Sequence, residues 1–476
     1  MSGFAALEIG KKALLAQRFG LDVTANNIAN VNTDGYSRRV AVLNEDISVR
    51  RNGFFMGNSV IVQKIQTFRS EYYDREIRNN ISKRSSHDVD YQFLKRIETV
   101  LGEPLNDSVD DMITDFFGAF DQVALNPDNV ALRSYIVERG VAISQRFNNI
   151  ASNFDEFRQQ TLNFVGSLTG TVNTLLKDIA ELNKFVTYNT NKDGATSQQF
   201  IDQRELKLQE LAKFMDIKVT SNEDNTLNVF VNGINVVSST YYSEIDYKVT
   251  DNAGEKTVSI IKKDIDTGNE TPLAIQAGEL YSNVKLYNEI LDPNDTSGNL
   301  SIYKELNDFV NAFVTQINAL MATGYGMDDL SGPPPGRLFF DPLGTNAGTI
   351  TINTSLINNP KDLPLSELPG EPGNTAIARK VARLAESKTF LNNLTPVEYY
   401  SGLVTRVGSA ARVANDGLAA SKAVDEQLNT QRESLMGVNL DEEAVNLIKF
   451  QKGFEAASRI ISITNEMLTT LINLGK

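Results

Sequence analysis

Near the end of the chain Leu447, Phe450, Phe454, Ala457, Ile461, Thr464, Leu468 and Leu471 follow one another at alternating spacings of three and four. That is the pattern of a coiled-coil seam along one face of a helix, here over 441–474, with Thr464 as its polar member. The other end repeats the theme: Leu7, Leu14, Leu21 and Ile28 recur every seven positions, predicting a helix over 4–30. A helix of about 30 residues spans roughly 45 Å. Its seam buries about seven apolar side chains worth on the order of 2 kcal/mol each, about 14 kcal/mol gross. Ordering the same backbone costs roughly 1–2 kcal/mol per residue, so neither helix is stable alone in water. Each needs a partner. The expectation is that the partner is the other terminus together with neighbouring copies, so that both ends fold fully only on assembly. An antiparallel pairing of the two helices within one chain fits the same pattern.

Several cores are required, because 476 residues exceed what one core ordinarily serves. A formal charge of -14, with no basic stripe, argues against a nucleic-acid partner. The absence of cysteine excludes disulfides, thiolate metal sites and cysteine nucleophiles. Residues 1–21 lack the apolar core and cleavage site of a secretory signal. No later stretch has eighteen consecutive apolar residues, so neither membrane insertion nor a cleaved signal peptide is expected.

Between the termini the periodicity changes several times. The first helix ends in Asn26, Asn27, Asn30 and Asn32 and then Asp34-Gly35, residues that tolerate left-handed backbone. A short β region follows, around Val40, Val42, Val60 and Val62, with residues 46–58 either a structured loop or an arm. From 68 to 186 the text is helical, with stops at Gly102-Glu103-Pro104 and Asn126-Pro127. Its core stripes are Ile113, Phe116, Phe117 and Phe120, then Phe147, Ile150, Phe154 and Phe157. Beyond Asp216 the period becomes two, and Asn232-Gly233 between alternating strands signals a hairpin. Further strands are expected over 245–250 and 258–265, flanking a turn at 251–254. Helices resume near Leu300, with Phe309, Phe313, Ile317 and Leu320 on one face, and again over 375–391 and 397–436.

The fold class expected is therefore mainly α with an inserted β domain, α+β and multidomain, built from terminal coiled-coil helices, a long helical bundle and a small antiparallel β domain. The divisions expected are 1–36 with 438–476 as a terminal coiled-coil domain, and 37–216 with 300–323 and 374–437 as the bundle. Residues 217–299 form the β insert, and 324–373 an irregular excursion rich in Pro and Gly.

No catalytic, cofactor or metal site is expected. His87 is the one histidine and lies in a polar helical stretch without a nucleophile-elbow sequence. Residues 292–298 have calcium-loop composition, but Gly298 is one place late and the twelfth position is Tyr303 rather than glutamate. No glycine-rich phosphate loop stands between a strand and a helix.

The run Asn26-Asn27-Ile28-Ala29-Asn30-Val31-Asn32-Thr33-Asp34-Gly35-Tyr36-Ser37-Arg38 resembles the signature near the start of flagellar rod, hook and hook-associated proteins. Val438-Asn439-Leu440-Asp441-Glu442-Glu443-Ala444, with Phe450-Gln451 and Ala456-Ala457, resembles the terminal helix of the same axial family. The segments 115–120 and 126–127, with Arg133, Phe147-Asn148 and Asp202-Gln203-Arg204, resemble its hook-filament junction members. The likeness is thin over 251–373. It implies a non-enzymatic subunit, exported unfolded through the flagellar type III apparatus without a cleaved signal. It further implies self-assembly into an extracellular ring between the hook protein and the next hook-associated protein on the filament side. A small cytoplasmic export chaperone is implied on the C-terminal face of Leu447, Phe450, Phe454, Ala457, Ile461, Leu468 and Leu471. Subunit contacts are implied at Leu7, Leu14, Leu21, Asn26, Asn27, Ile28, Asn30, Asn32, Gly35 and Tyr36, and along that C-terminal seam. A secreted coiled-coil adhesin and a rod-associated wall hydrolase are the alternative readings.

Overall fold

A computed structural model of the chain describes residues 2–47, 49–51, 54–57, 59–102, 108–193, 198–252, 255–264, 268–295 and 300–474. In order the elements begin with α1 (Ser2–Ala29), β1 (Arg39–Glu45), β2 (Val49–Arg51), β3 (Phe54–Met56) and β4 (Val60–Thr67). Four helices follow: α2 (Glu71–Gly102), α3 (Val109–Leu125), α4 (Val130–Asp193) and α5 (Gln198–Phe214). Then come β5 (Lys218–Ser221), β6 (Leu227–Val231), β7 (Ile234–Ser238), β8 (Tyr241–Tyr242), β9 (Glu244–Asn252), β10 (Glu255–Lys263) and β11 (Glu270–Pro272). The remaining helices are α6 (Glu279–Lys285), which runs into a π-helical turn at Leu286–Ile290, α7 (Ile302–Met321), α8 (Thr354–Asn358), α9 (Ala376–Arg383), α10 (Pro396–Met436) and α11 (Leu440–Leu474). The fold is mainly α with small antiparallel sheets, as the periodicities require.

The chain separates into two compact units. The first comprises Met1–Ile81, Asn173–Glu244 and Ser421–Lys476. In it α1 packs on α11 and on the antiparallel pair β1-β4, whose register slips between Val42 and Leu43. Its other sheet runs in the order β5-β6-β7-β8. Asn232 and Gly233 both take positive φ, 45° and 82°, so the β6-β7 connection is the mirror-image turn that matches strand twist. On α4, Asn183 is fully buried and satisfies loose backbone ends of this sheet, donating to the carbonyls of Leu227 and Ser239.

The second unit, Ser82–Val172 with Ile245–Ala420, is organised around aromatic rings. Phe116, Phe120, Phe147, Phe154, Phe309 and Phe313 are essentially inaccessible to water. The Phe116 ring alone lies 5.3–6.3 Å from those of Phe117, Phe120, Phe313, Phe339 and Phe340, mostly edge to face. Helix α3 starts where Ser108 Oγ accepts from the Asp111 amide at 3.1 Å and stops at Asn126-Pro127. Arg133, on α4, is 1 % exposed. It donates to the carbonyls of Leu363 (2.7 Å) and Pro127 (3.1 Å), and burial lowers its pKa to about 10.

Two segments differ in arrangement from the periodicity reading. The strands beyond 217 make two separate sheets, β5-β6-β7-β8 and β11-β10-β9, and the middle segment of the first unit ends at Glu244, where β9 begins. Residues 324–373 are mostly irregular in backbone apart from α8 and the 3-10 turn at Pro360–Asp362, yet Phe339, Phe340, Ile350, Ile352, Leu356, Leu363 and Leu365 are all buried in the aromatic core. Side-chain volume rather than regular hydrogen bonding holds that segment, and periodicity does not report volume. Helix α9 stops at Arg383, short of the Leu391 expected, and a 3-10 turn follows. Helix α2 ends at Gly102, as expected; Glu103 and Pro104 fall outside the described residues, as do Ser48, Asn52, Gly53 and Asn58 of the 46–58 segment, Ala253 and Gly254 of the 251–254 turn, Ile265, and Thr296 to Gly298 of the calcium-like run.

Candidate functional site

Helices α1 and α11 run antiparallel: residues 10, 17, 20 and 27 lie level with 461, 453, 450 and 443. Their closest approach is made by glycines rather than by the leucines of the heptad. A Cβ on Gly20 would stand 2.5 Å from Phe450 Cε1, one on Gly10 2.8 Å from Ile461 Cγ1, and one on Gly453 2.7 Å from Gln17 Cδ. Large residues of one helix therefore sit over bare backbone of the other, the close packing that small residues permit. Leu7, Leu14, Leu21 and Ile28 flank this line and are half-buried. On α11 Ala457 and Thr464 are buried, Leu447, Phe450, Phe454, Ile461 and Leu468 half-buried, and Leu471 is 64 % exposed. Leu468 lies level with the first turn of α1, so Leu471 has no α1 residue opposite it. The hydroxyl of Thr464 returns to the Ile460 carbonyl at 2.7 Å, so its proton is satisfied within α11.

Register between the two ends is set instead where the asparagine cluster meets the start of α11. Asn27 is 1 % exposed. Its Nδ2 donates to the Arg39 carbonyl (2.7 Å) and to Glu443 Oε2 (3.0 Å), while its Oδ1 accepts from the Arg39 amide (3.1 Å) and the Tyr36 hydroxyl (2.8 Å). All four hydrogen-bonding positions of one amide are thus engaged. Glu443, also 1 % exposed, takes Arg38 Nε at 2.8 Å on its other oxygen, and Arg38 Nη1 reaches Glu442 at 2.9 Å. The Arg38 amide donates to the Met436 carbonyl at the end of α10. Asn439 caps α11, its Oδ1 accepting from the Asp441 amide at 2.9 Å, so that Glu443 stands in the first turn, where a carboxylate also meets the positive helix end.

The rest of the signature shapes the reversal. Asn30 Nδ2 donates to the Asn26 carbonyl, Asn26 Oδ1 shares the Tyr36 hydroxyl proton with Asn27 at 3.0 Å, and Asn32 is exposed. Gly35 adopts φ 76°, and a Cβ there would lie 2.7 Å from Leu206 Cγ, so left-handed backbone and close approach both demand glycine. Burial raises the pKa of Tyr36 against the opposing Arg39, whose guanidinium lies 4.8 Å from the ring. Arg39 continues to Asp202 on α5 at 2.7 Å. One turn along α5 Glu205 receives Arg78 (2.5 Å) and Arg69 (2.8 Å), and Arg69 also holds Asp74. This chain of charges joins α1, α2, α5 and α11 within one unit.

Sequence reasoning placed Asn26 to Tyr36 at the helix end but missed Glu443 as the group that joins the two ends, and missed Gly10, Gly20 and Gly453 as the contact line. The readable signal was glycine recurring inside helices where its low propensity disfavours it. Among the described residues no cluster of three or more His, Asp or Glu is arranged to hold a metal ion, and no helix is long and apolar enough to cross a membrane.

The chain is similar to known flagellar proteins. Residues 94–340, just over half of the chain, match the family described as flagellar hook-associated protein FlgK helical domain. Residues 7–36 match flagella basal body rod protein, and residues 433–474 match flagellar basal body rod FlgEFG protein C-terminal. Flagellar hook-associated protein 1 of Bacillus subtilis (strain 168) is 25% identical, the alignment covering 99% of this chain and 98% of that protein. The Escherichia coli (strain K12) protein of the same name is 22% identical over 97% and 98%. The solved structure of the flagellar hook junction protein FlgK from Burkholderia pseudomallei aligns with a TM-score of 0.63 at 13% identity, covering 76% of this chain and 100% of that one. The matched families are structural flagellar proteins, not enzymes.

Proposed function

Because the chain belongs to the family of flagellar hook-associated protein FlgK, we propose that it forms the junction between hook and filament, assembling as a ring through its terminal helices. The observation that carries this reading is the buried contact of Asn27 and Arg38 with Glu443, which locks the two ends of the chain into one antiparallel rod. The rod leaves apolar side chains uncovered along its length, among them Phe4 at 73 % exposure and Met467 at 60 %. Such a rod is a half-finished interface. The end near Glu443 is held by the latch, and the far end gains its full order when neighbouring copies cover it.

The subunit leaves the cell unfolded through the flagellar type III apparatus and comes to rest outside it. Its neighbours there are the hook protein on one side and the next hook-associated protein on the other. Before export a small cytoplasmic chaperone lays the α11 face of Phe450, Phe454, Ile461 and Leu468 into an apolar groove. That face is the one α11 turns toward α1, so chaperone binding and terminal pairing exclude one another.

Deletion of the gene tests the reading directly. Cells should retain hooks and lose filaments. Normal filaments combined with poor surface attachment would transfer the protein to the adhesin class.

A further inference from the structure

Helix α11 carries more apolar surface than α1 covers. Beside the packed seam, Ile460, Ile463, Met467 and Leu471 recur at three and four and are 46 %, 51 %, 60 % and 64 % exposed. They form a ridge of about 16 Å on the flank of α11. On another face of α1, turned away from α11, an apolar groove of about 410 Å³ lies between Leu15 and Phe19 and the strand residues Val60, Ile61 and Val62 of β4. From Lys12 to Asp22 its α1 wall is about 15 Å long, which matches the ridge.

The charges at the two edges match as well. Arg18 and Asp22 border the groove, Arg459 and Glu466 border the ridge, and all four are exposed and free of ion pairs among the described residues. With the ridge antiparallel to α1, Arg459 comes opposite Asp22. Ile463 then lies by Phe19, Met467 by Leu15, and Glu466 comes within reach of Arg18. Leu471, which has no α1 residue of its own chain opposite it, lands beside Val60.

We propose that the α1/β4 groove is the docking site for the α11 ridge of a second copy of this chain. The contact deepens the assembly reading above and rests on it. Ridge and groove are different patches facing different directions on one subunit, so the contact is heterologous and propagates head to tail into a ring or an open helix. The apolar side chains concerned cover roughly 500–700 Å² in total, short of the ~1,200 Å² at which a single pairwise interface stands alone. A lone pair of subunits therefore dissociates, and the contact holds where the ring supplies others.

The chain has no cysteine, so introduced thiols report without background. Full-length Leu15→Cys and Met467→Cys variants are produced together in cells lacking the natural chain, and their hooks are isolated, oxidised and run on a non-reducing gel. A mixed dimer is expected when both variants are present, with neither alone dimerising, and the doubly substituted chain should give a ladder above the dimer. Within one subunit the two positions are about twelve residues out of level, roughly 18 Å along the helices, so an intramolecular bond does not compete. Both variants present on hooks without a mixed dimer, or a dimer from either variant alone, overturns the docking site while leaving the assembly reading in place. Absence of the natural chain from hooks overturns both. Charge reversal gives an independent reading: Asp22→Arg and Arg459→Asp should each lower the amount retained on hooks several-fold and together restore it, and failure to restore it counts against the pairing.

Discussion

Replacing Glu443 with alanine removes the acceptor of two hydrogen bonds from a site that water does not reach. Arg38 Nε (2.8 Å) and Asn27 Nδ2 (3.0 Å) both lose a partner. Hydrogen bonds to a charged group contribute about 1.5–3 kcal/mol each, and breaking a buried pair from one side costs about 3–5 kcal/mol. Arg38 keeps Glu442, and Asn27 keeps the Arg39 carbonyl, so the lower figure applies. A loss of about 3 kcal/mol, with a few tenths more from the helix end, multiplies the population of separated α1 and α11 roughly 200-fold. Native-state hydrogen exchange of the free subunit, followed by mass spectrometry, reads this directly. Peptides from 16–30 and 441–455 should exchange about two orders of magnitude faster in Glu443→Ala, with peptides of the aromatic core unchanged. Glu443→Gln keeps an acceptor for Arg38 and should fall between. Exchange within threefold of the natural chain in both peptides would refute the claim that this carboxylate joins the termini.

Gly20→Ala places a methyl 2.5 Å from the Phe450 ring and should destabilise the terminal pair by about 1–3 kcal/mol. Shortening that ring with Phe450→Leu should recover part of the loss, seen as a coupling term in a double-mutant cycle. Phe454→Asp should abolish chaperone binding and incorporation into hooks while far- and near-ultraviolet circular dichroism show the other unit intact; retained chaperone binding would redraw the recognised face. Phe116→Ala removes a fully buried ring with five aromatic neighbours within 6.3 Å and should lower stability of the aromatic unit by about 3–5 kcal/mol in urea titration. Hydrogen bonding to Arg337 holds the Asp329 carboxyl below its ordinary value of 3.8, and the Gly326 amide at 2.7 Å assists. The folded unit thus binds this proton less readily than the unfolded chain. The contribution is complete above the ordinary value and is lost as pH falls through the lowered one. Asp329→Asn should flatten the acid limb of the stability profile below about pH 4, leaving neutral pH less stable.

What the amino-acid order determined by itself is everything local or periodic. The helices expected over 4–30 and 441–474, the stripes through Phe116 and Phe147 and the Asn232-Gly233 turn depend on spacing and backbone preference, and they form close to where the spacing places them. The reversal at Gly35 was legible for the same reason, since few residues tolerate its backbone. Tertiary structure alone decided which helix face meets which. The leucines of the heptad were the visible feature of α1, but the distance between the two terminal helices is decided by what is absent at Gly10, Gly20 and Gly453, and its register by Asn27 finding Glu443 more than four hundred residues away. Likewise the irregular residues 324–373 join the core through the volume of Phe339 and Phe340 rather than through any repeat. Periodicity reports that a face will be buried. What covers it depends on shape and charge brought together from distant parts of the chain, and only packing in three dimensions makes that choice.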